Sequence, residues 1–152
     1  MAKRLKIYLD TSVPNAYFDE RNALRKEMTR SFWRRLDEYE VFISNLGLEE
    51  INDIGDKEKK KALLALISGF KMLSSTEKDV KALAEEYVTR GIFPVRYIED
   101  AVHITVASLN SLDVLISWNF EHIVKLKTKR EVNVVNVLLG YDQLEIVEPS
   151  MM

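Results

Sequence analysis

The stretch from Tyr97 to Ile123 constrains the fold more than any other part of the chain. It contains a segment from Ala101 to Leu109 that is apolar on nearly every side of a helical wheel, which is typical of a buried helix. Asn110 and Ser111 break this pattern, and residues 113–117 then predict a short buried strand. Polar side chains at the ends of these two buried elements are therefore candidates for chemistry.

Three other segments predict strands. Residues 5–9 and 40–44 are rich in β-favouring residues, and residues 144–147 predict a last edge strand. Because these strands alternate with helical segments, the pattern indicates an α/β fold with a mainly parallel sheet. Right-handed crossovers would place the carboxyl ends of the strands at one edge of that sheet.

Apolar residues at every fourth position predict an amphipathic helix over residues 19–38, whose other face is rich in arginine. Asn45 is predicted to cap a helix over residues 46–54, and Asp56 to cap a lysine-rich helix that Gly69 closes.

Thr76 is predicted to cap a further helix, with Asp79 three residues on. After the central stretch, residues 126–130 predict a basic loop. Residues 131–136 predict a short strand that passes into a helical turn ending at Gly140.

The composition limits the classes of function. The 152 residues predict one domain over 1–152, and the net charge of -2 does not suit a protein that coats nucleic acid nonspecifically. No apolar run approaches the about 20 residues that span a bilayer, and no signal peptide is predicted. The absence of cysteine excludes disulfides and thiolate metal sites, and two histidines exclude a three-histidine zinc site. We therefore expect a cytoplasmic protein that does not bind membranes.

Four polar groups occupy comparable places in the predicted fold. Asp10 follows the first strand, Glu50 lies in the helix after the second, Asp100 begins the buried helix and Asn119 follows the strand of residues 113–117. In a parallel sheet all four converge on the edge where ligands bind. Three carboxylates without cations would repel one another, and a hard divalent cation such as Mg²⁺ removes that conflict. The predicted chemistry is phosphodiester hydrolysis by a metal-activated water, in which two ions about 4 Å apart can act as a clamp.

The segments that carry these groups resemble the motifs of PIN-domain ribonucleases, including their VapC-type toxins. These segments are KIYLDTSVPNAYFD, ISNLGLEEI, EDAVHITVAS and DVLISWNFEHI, and the later NVVNVLLGYDQLEIVEP resembles the tail of one bacterial and archaeal branch. The resemblance covers most of the chain and implies a three-layer α/β/α sandwich. It also implies Mg²⁺ or Mn²⁺ as cofactor, cleavage of RNA, an antitoxin partner and a homodimer.

Carried over by motif, Asp10, Glu50 and Asp100 match the acidic metal-binding triad, and Asn119 matches the fourth catalytic position, which is often Asp. Asn119 brings no charge, which should weaken a second metal site more than the first. Glu49 and Glu50 lie about 100° apart on a helix, so periodicity does not decide between them, and the resemblance favours Glu50.

Further residues are predicted to contact substrate. Ser12 and Ser117 match small hydroxyl positions of the resembled family, and a basic group is predicted to bind RNA phosphate: Lys125, Lys127, Lys129 and Arg130. Trp118 and Phe120 are interpreted as core anchors rather than as stacking platforms. His103 is interpreted as a core or pocket-wall residue, and His122 as structural or surface-exposed.

Two functions remain open from the sequence. The leading hypothesis is a metal-dependent endoribonuclease, the toxin of a toxin–antitoxin pair. The alternative is a catalytically impaired PIN-like domain that binds RNA or protein, which the uncharged Asn119 and the acidic pI of ≈ 5.8 favour. Phosphatases of the haloacid-dehalogenase type and response-regulator receivers fit poorly, because position 12 is Ser and Leu9 precedes Asp10.

Overall fold

The computed structural model describes residues 3–152, so Met1 and Ala2 of the predicted domain lie outside the described residues. Within that range the chain forms one five-stranded sheet, in which every neighbouring pair of strands is parallel and the order is β3-β2-β1-β4-β5. The strands are β1 (Lys6–Leu9), β2 (Glu40–Ser44), β3 (Lys71–Leu73), β4 (Val114–Ile116) and β5 (Glu145–Val147). The predicted α/β class and mainly parallel sheet are confirmed.

Seven α-helices surround this sheet within residues 3–152. They are α1 (Ser12–Phe18), α2 (Ala23–Trp33), α3 (Asn45–Asn52), α4 (Lys57–Ile67), α5 (Lys78–Thr89), α6 (Ile98–Leu109) and α7 (Leu126–Leu139). Short 3-10 helices occupy Leu36–Glu38, Val95–Tyr97 and Pro149–Met151. None of the helices in the described part of the chain has the length and apolarity needed to cross a lipid bilayer.

Successive residues of β1 face opposite layers, because side chains alternate along a strand. Ile7 and Leu9 pack into a core with residues of α1, α2, α3 and α4, whereas Tyr8 packs into a second core with α5, α6 and α7. The expected three-layer α/β/α sandwich is thus confirmed. The predicted buried helix is α6, whose Ala101, Ile104 and Val106 are fully buried.

The predicted helix over residues 19–38 is wrong in its bounds. Helix α1 ends at Phe18, and α2 begins at Ala23 because Asn22 caps it, its side chain accepting a hydrogen bond from the Arg25 backbone N–H.

The structure also corrects two capping predictions. Ser44, and not Asn45, caps α3 by accepting from the Gly47 N–H at 3.3 Å. Helix α5 begins at Lys78, without a side-chain cap from Thr76.

The predicted basic loop at 126–130 and strand at 131–136 are wrong, because both segments belong to α7. Val132, Val135 and Asn136 are buried at helical spacing, and this packing outweighs the β-propensity of the valines. The predicted end of the helix is confirmed at Gly140, whose φ of 84° is left-handed. Strand β3 was not predicted, since its three residues are too few to show a period.

Candidate active site

The polar groups predicted from the sequence lie at the carboxyl edge of the sheet, where β1 separates β2 on one side from β4 on the other. Leu9 pairs with Ile116, so the residues that follow them, Asp10 and Ser117, are neighbours. This is the topological switch point of a doubly wound sheet, the place where such folds form a crevice for ligands.

Asp10 is held by hydroxyl groups on both sides. Its Oδ1 accepts hydrogen bonds from the Ser12 backbone N–H at 3.1 Å and the Ser12 hydroxyl at 2.5 Å, and its Oδ2 accepts from the Ser117 hydroxyl at 2.6 Å. The Ser12 hydroxyl oxygen also accepts from the Trp118 N–H at 2.8 Å. The two serines therefore fix the orientation of the carboxylate and join β1 to the loop after β4.

The Asp10 side chain is almost completely buried, with only 4% of the residue exposed. Burial raises the pKa of this carboxyl group above its ordinary value, although His103 and the two serine hydroxyls partly offset the effect. A cation beside Asp10 would stabilise its ionised form.

Glu50 reaches the same edge from α3. Its Oε1 accepts a hydrogen bond from the Thr11 hydroxyl at 2.7 Å and lies 2.6 Å from His103 Nε2. Burial would raise the pKa of Glu50, but the hydrogen bonds and the charge of His103 lower it below the ordinary value. Glu49 is exposed, so Glu50 is the glutamate of this pair that points to the site.

His103 links Glu50 to the core of the protein. Its Nδ1 lies 2.5 Å from the Tyr8 hydroxyl, which in turn lies 2.8 Å from the hydroxyl of Ser44, the cap of α3. Burial would lower the pKa of His103, but the hydrogen bond to Glu50 and the charges of Asp10, Glu50 and Asp100 raise it. The buried imidazole therefore contacts Glu50 through one ring nitrogen and the Tyr8 hydroxyl through the other.

Asp100 lies in the first turn of α6, half-buried. Its Oδ1 accepts a hydrogen bond from the Asn119 side-chain nitrogen at 3.4 Å, and its Oδ2 lies 3.0 Å from His122 Nδ1. Burial raises the pKa of Asp100, and His122, followed by His103, partly offsets it. The oxygen of the Asn119 amide accepts from the His122 backbone N–H at 3.0 Å, which fixes the direction of the amide.

His122 makes two contacts besides the one with Asp100. Its ring stacks against Tyr97 with centroids 3.9 Å apart, and its carbonyl oxygen accepts from the Thr128 hydroxyl at 2.8 Å. The second contact ties the first turn of α7 to the candidate site.

The structure thus brings together six of the predicted residues: Asp10, Ser12, Glu50, Asp100, Ser117 and Asn119. As the side chains stand, no group of three or more acidic or histidine residues within 3–152 has the spacing of a metal site.

The four basic residues do not join this cluster in the described residues. Lys125 is exposed at the position before α7 and forms no capping hydrogen bond, and Lys129 is half-buried within the helix. Lys127 forms a 3.8 Å ion pair with Glu131, and Arg130 lines a cavity on the outer side of α7 with Val134.

Three polar residues that contact the carboxylates were not predicted as site residues. Thr11, His103 and His122 each contact one of them directly. A signal for His103 exists in the sequence, because an imidazole on a helix that is otherwise apolar must find a polar partner. The interpretation of Trp118 as a core anchor is confirmed by its 7% exposure. The same interpretation is wrong for Phe120, which is 47% exposed.

Comparisons with known proteins give structural neighbours. The sequence matches no protein-family model, and no curated protein matches it. A solved structure of VapBC2 from Rickettsia felis, bound to a DNA fragment from its promoter, superposes with a TM-score of 0.61 at 13% identity, covering 95% of this chain and 98% of that one.

Two further neighbours come from other bacteria. VapC20 of Mycobacterium tuberculosis, a toxin that cleaves the sarcin–ricin loop, has a TM-score of 0.60 at 18% identity over 76% of this chain and 92% of that one. DNA-bound VapBC of Salmonella typhimurium has a TM-score of 0.56 at 16% identity over 95% and 98% of the two chains. The chain therefore has the fold of VapC-type PIN-domain proteins, as the motif resemblance indicated.

Proposed function

We propose that this protein is a metal-dependent endoribonuclease, a hydrolase that cleaves RNA phosphodiester bonds. The observation that carries the proposal is that Asp10, Glu50 and Asp100 lie at one carboxyl edge of a VapC-like sheet, at its switch point. Ser117 donates to Asp10 and accepts from the Asn119 backbone N–H, the Asn119 side chain donates to Asp100, and Glu50 contacts the buried His103. The neighbour that cleaves the sarcin–ricin loop supports RNA as the class of substrate.

Asp10, Glu50 and Asp100 would hold Mg²⁺ or Mn²⁺. The donors are all carboxylate oxygens, which these hard cations prefer, and Glu50 Oε2 makes no hydrogen bond within residues 3–152. No lysine or arginine of the described residues forms an ion pair with any of the three. A bound ion would supply a water of lowered pKa and would neutralise phosphate charge.

The other residues of the site hold these carboxylates in place. Ser12 and Ser117 orient Asp10, while Thr11 and His103 orient Glu50. Asn119 donates to Asp100 without adding charge, so we expect the site to bind one metal ion more strongly than a second.

Lys125, Lys127, Lys129 and Arg130 are proposed to bind RNA phosphates. They lie at the start of α7, where the helix dipole also favours anions, and the bond from Thr128 to His122 fixes this end beside Asp100.

The experiment is a cleavage assay on structured and single-stranded RNAs in Mg²⁺, in Mn²⁺ and in EDTA. The variant is Asp100→Asn, and the matched control is Glu145→Gln, an exposed carboxylate at the start of β5 on the opposite edge of the sheet. We expect metal-dependent cutting by the wild type and the control, and none by Asp100→Asn. Cutting that persists in EDTA, or in Asp100→Asn, would contradict the proposal.

We further propose that the chain acts as one PIN-like domain in the cytoplasm, as the toxin of a toxin–antitoxin pair and as a homodimer. The exposed apolar side chains of α7, Leu126, Val134, Val137 and Leu138, offer a surface for a protein partner. Light scattering of the purified protein tests the dimer, and a monomeric mass at all concentrations would contradict it.

One observation favours the alternative, a catalytically impaired binding module. Both ends of the Asn119 amide already have a protein partner, with its nitrogen donating to Asp100 and its oxygen accepting from the His122 backbone N–H. Calorimetry with Mn²⁺ separates the two functions: metal binding that depends on Asp10 and Asp100, without cleavage of any RNA, would support the binding module.

A further inference from the structure

A second cavity opens directly beside the carboxylates. Its volume is ≈ 220 Å³, and it lies between α1, α2 and the turn after β4. The side chains that matter for its chemistry are Ser12, Asn15, Asp19, Arg25, Trp118 and Asn119. Because Ser12 and Asn119 belong to the candidate active site as well, a molecule in this cavity would lie next to the reacting phosphate. The volume is below that of pockets for drug-sized ligands, which suits a single planar ring system.

Arg25 and Trp118 line one side of the cavity, and Phe120 lies beside these two residues, outside the lining. The Arg25 guanidinium lies 4.9 Å from the centre of the Trp118 ring and 5.8 Å from that of Phe120. Trp118 is fixed, because its indole N–H donates to the Thr29 hydroxyl at 2.9 Å. Phe120 is 47% exposed and makes an edge contact with Trp118 at 6.0 Å. Aromatic rings and guanidinium planes of this kind are the surfaces on which unpaired bases stack.

Asn15 is the uncharged polar residue of the cavity whose side chain has no hydrogen-bond partner within residues 3–152. Its side-chain oxygen is buried. A buried polar atom without a partner is costly and calls for an explanation. The terminal torsion of asparagine rotates readily, so the amide can present one acceptor and two donors to a ligand.

Apart from the Arg25 guanidinium, which lies over the aromatic rings, the other polar groups of the cavity are already engaged in hydrogen bonds. Both oxygens of Asp19 accept hydrogen bonds from Arg21, at 2.9 Å from Nε and 2.9 Å from Nη2. Ser12 is bonded to Asp10, and Asn119 to Asp100 and His122. Asn15 is therefore the uncharged side chain that is left to form hydrogen bonds with a base, while Arg25 offers its plane. An asparagine amide pairs in bidentate fashion with N6 and N7 of adenine.

We propose that this cavity is a base-specific subsite, which takes an unpaired adenine of the nucleotide beside the scissile phosphate. The base stacks on Arg25, with its outer edge towards Phe120, and its N6 and N7 pair with the Asn15 amide. The subsite rests on the proposed RNA substrate. It adds to that function the preference for one base at one position of a single-stranded or looped segment.

The test measures binding without cleavage. Labelled oligouridines that carry adenine, guanine, cytosine or uridine at one central position are titrated with the full chain in EDTA, and fluorescence anisotropy is recorded. We expect the adenine oligomer to bind at least about fivefold more tightly than the uridine oligomer, the lower end of one bidentate base contact. In Asn15→Ala this ratio should fall to about one. The matched control, Asn110→Ala at the far end of α6, should keep it.

A second variant keeps the test valid if Asn15→Ala folds poorly. Asn15→Asp offers only acceptors, which suit the N4 amine of cytosine, so the preference should move from adenine to cytosine. Equal affinity for all four oligomers in the wild type would overturn the subsite, and this is also the result expected if the cavity holds a peptide side chain.

Failure of the base-specific subsite can be distinguished from failure of the proposed ribonuclease function. Metal-dependent cleavage of RNA together with equal affinity for the four oligomers refutes the subsite alone. Absence of both RNA binding and RNA cleavage refutes the ribonuclease as well.

Discussion

Replacement of His103 tests whether the contact between Glu50 and the buried core stabilises the protein. The residue is 2% exposed, and its ring joins Glu50 at 2.6 Å to Tyr8 at 2.5 Å. His103→Ala therefore removes both contacts and leaves the buried Tyr8 hydroxyl with one partner fewer. A hydrogen bond to a charged group contributes about 1.5–3 kcal/mol. Because the substitution also removes the buried volume of the imidazole ring, we expect the free energy of unfolding to fall by about 3–5 kcal/mol in total. For a chain of this size the midpoint of thermal unfolding should fall by roughly 10 °C.

His122→Ala is the matched control. It also removes a histidine from a carboxylate, but the His122 side chain is 17% exposed and its partner Asp100 is 21% exposed. Solvent therefore weakens the pair, and we expect a loss of about 1 kcal/mol. Urea unfolding in EDTA, followed by circular dichroism, measures both variants without metal. His103→Gln should recover part of the loss, because its amide can still donate to Glu50.

The losses of stability in His103→Ala and His122→Ala, compared with each other, show whether His103 anchors the site. If His103→Ala and His122→Ala lower the free energy of unfolding equally, then the chain from Glu50 through His103 to Tyr8 does not anchor the site. A large loss in His103→Ala that His103→Gln does not relieve would show that packing, and not the bond to Glu50, causes it.

Three other variants probe the charges of the fold. Asn119→Asp places a second carboxylate beside Asp100, so the melting temperature in EDTA should fall by a few degrees. Mn²⁺ should raise the melting temperature of this variant more than that of the wild type, and an equal rise in both proteins would contradict the reasoning. Asp10→Asn removes a buried charge whose pKa is raised by burial. In EDTA its free energy of unfolding should therefore rise by about 0.5–2 kcal/mol, while calorimetry should detect no Mn²⁺ binding. Burial raises the pKa of Tyr87 to about 12, so the unfolded state loses its phenolic proton first as the pH rises. The stability that Tyr87 contributes is complete below about pH 10 and is lost up to about pH 12, and Tyr87→Phe should show a shallower fall of the urea midpoint across that window.

The sequence predicted the parts of the fold that repeat or alternate. Strands β1, β2, β4 and β5 and the buried helix α6 were found because their apolar runs are bounded by turn residues. Asp10 and Asp100 were placed correctly at the ends of elements, since a strand end or a helix start has a local signature.

Tertiary packing decided what the sequence could not predict. The valines of α7 favour a strand locally, yet Val132 and Val135 are buried as one face of a helix. The contact between Glu50 and His103 joins residues that are 53 positions apart, and no local pattern reports such a contact. The cavity beside Asn15 likewise exists only once α1, α2 and the turn after β4 have met.

The central place of β1 has a consequence for synthesis of the protein. Asp10 meets Ser117 across 107 positions of the chain, because β1 is made first but is flanked by β4, which is made late. At ribosomal speeds of roughly 5–20 residues per second, β1 lacks this partner for on the order of 5–20 s. Under the proposed function this order delays the active site, because the hydrogen bond that orients Asp10 cannot form before Ser117 has been synthesised.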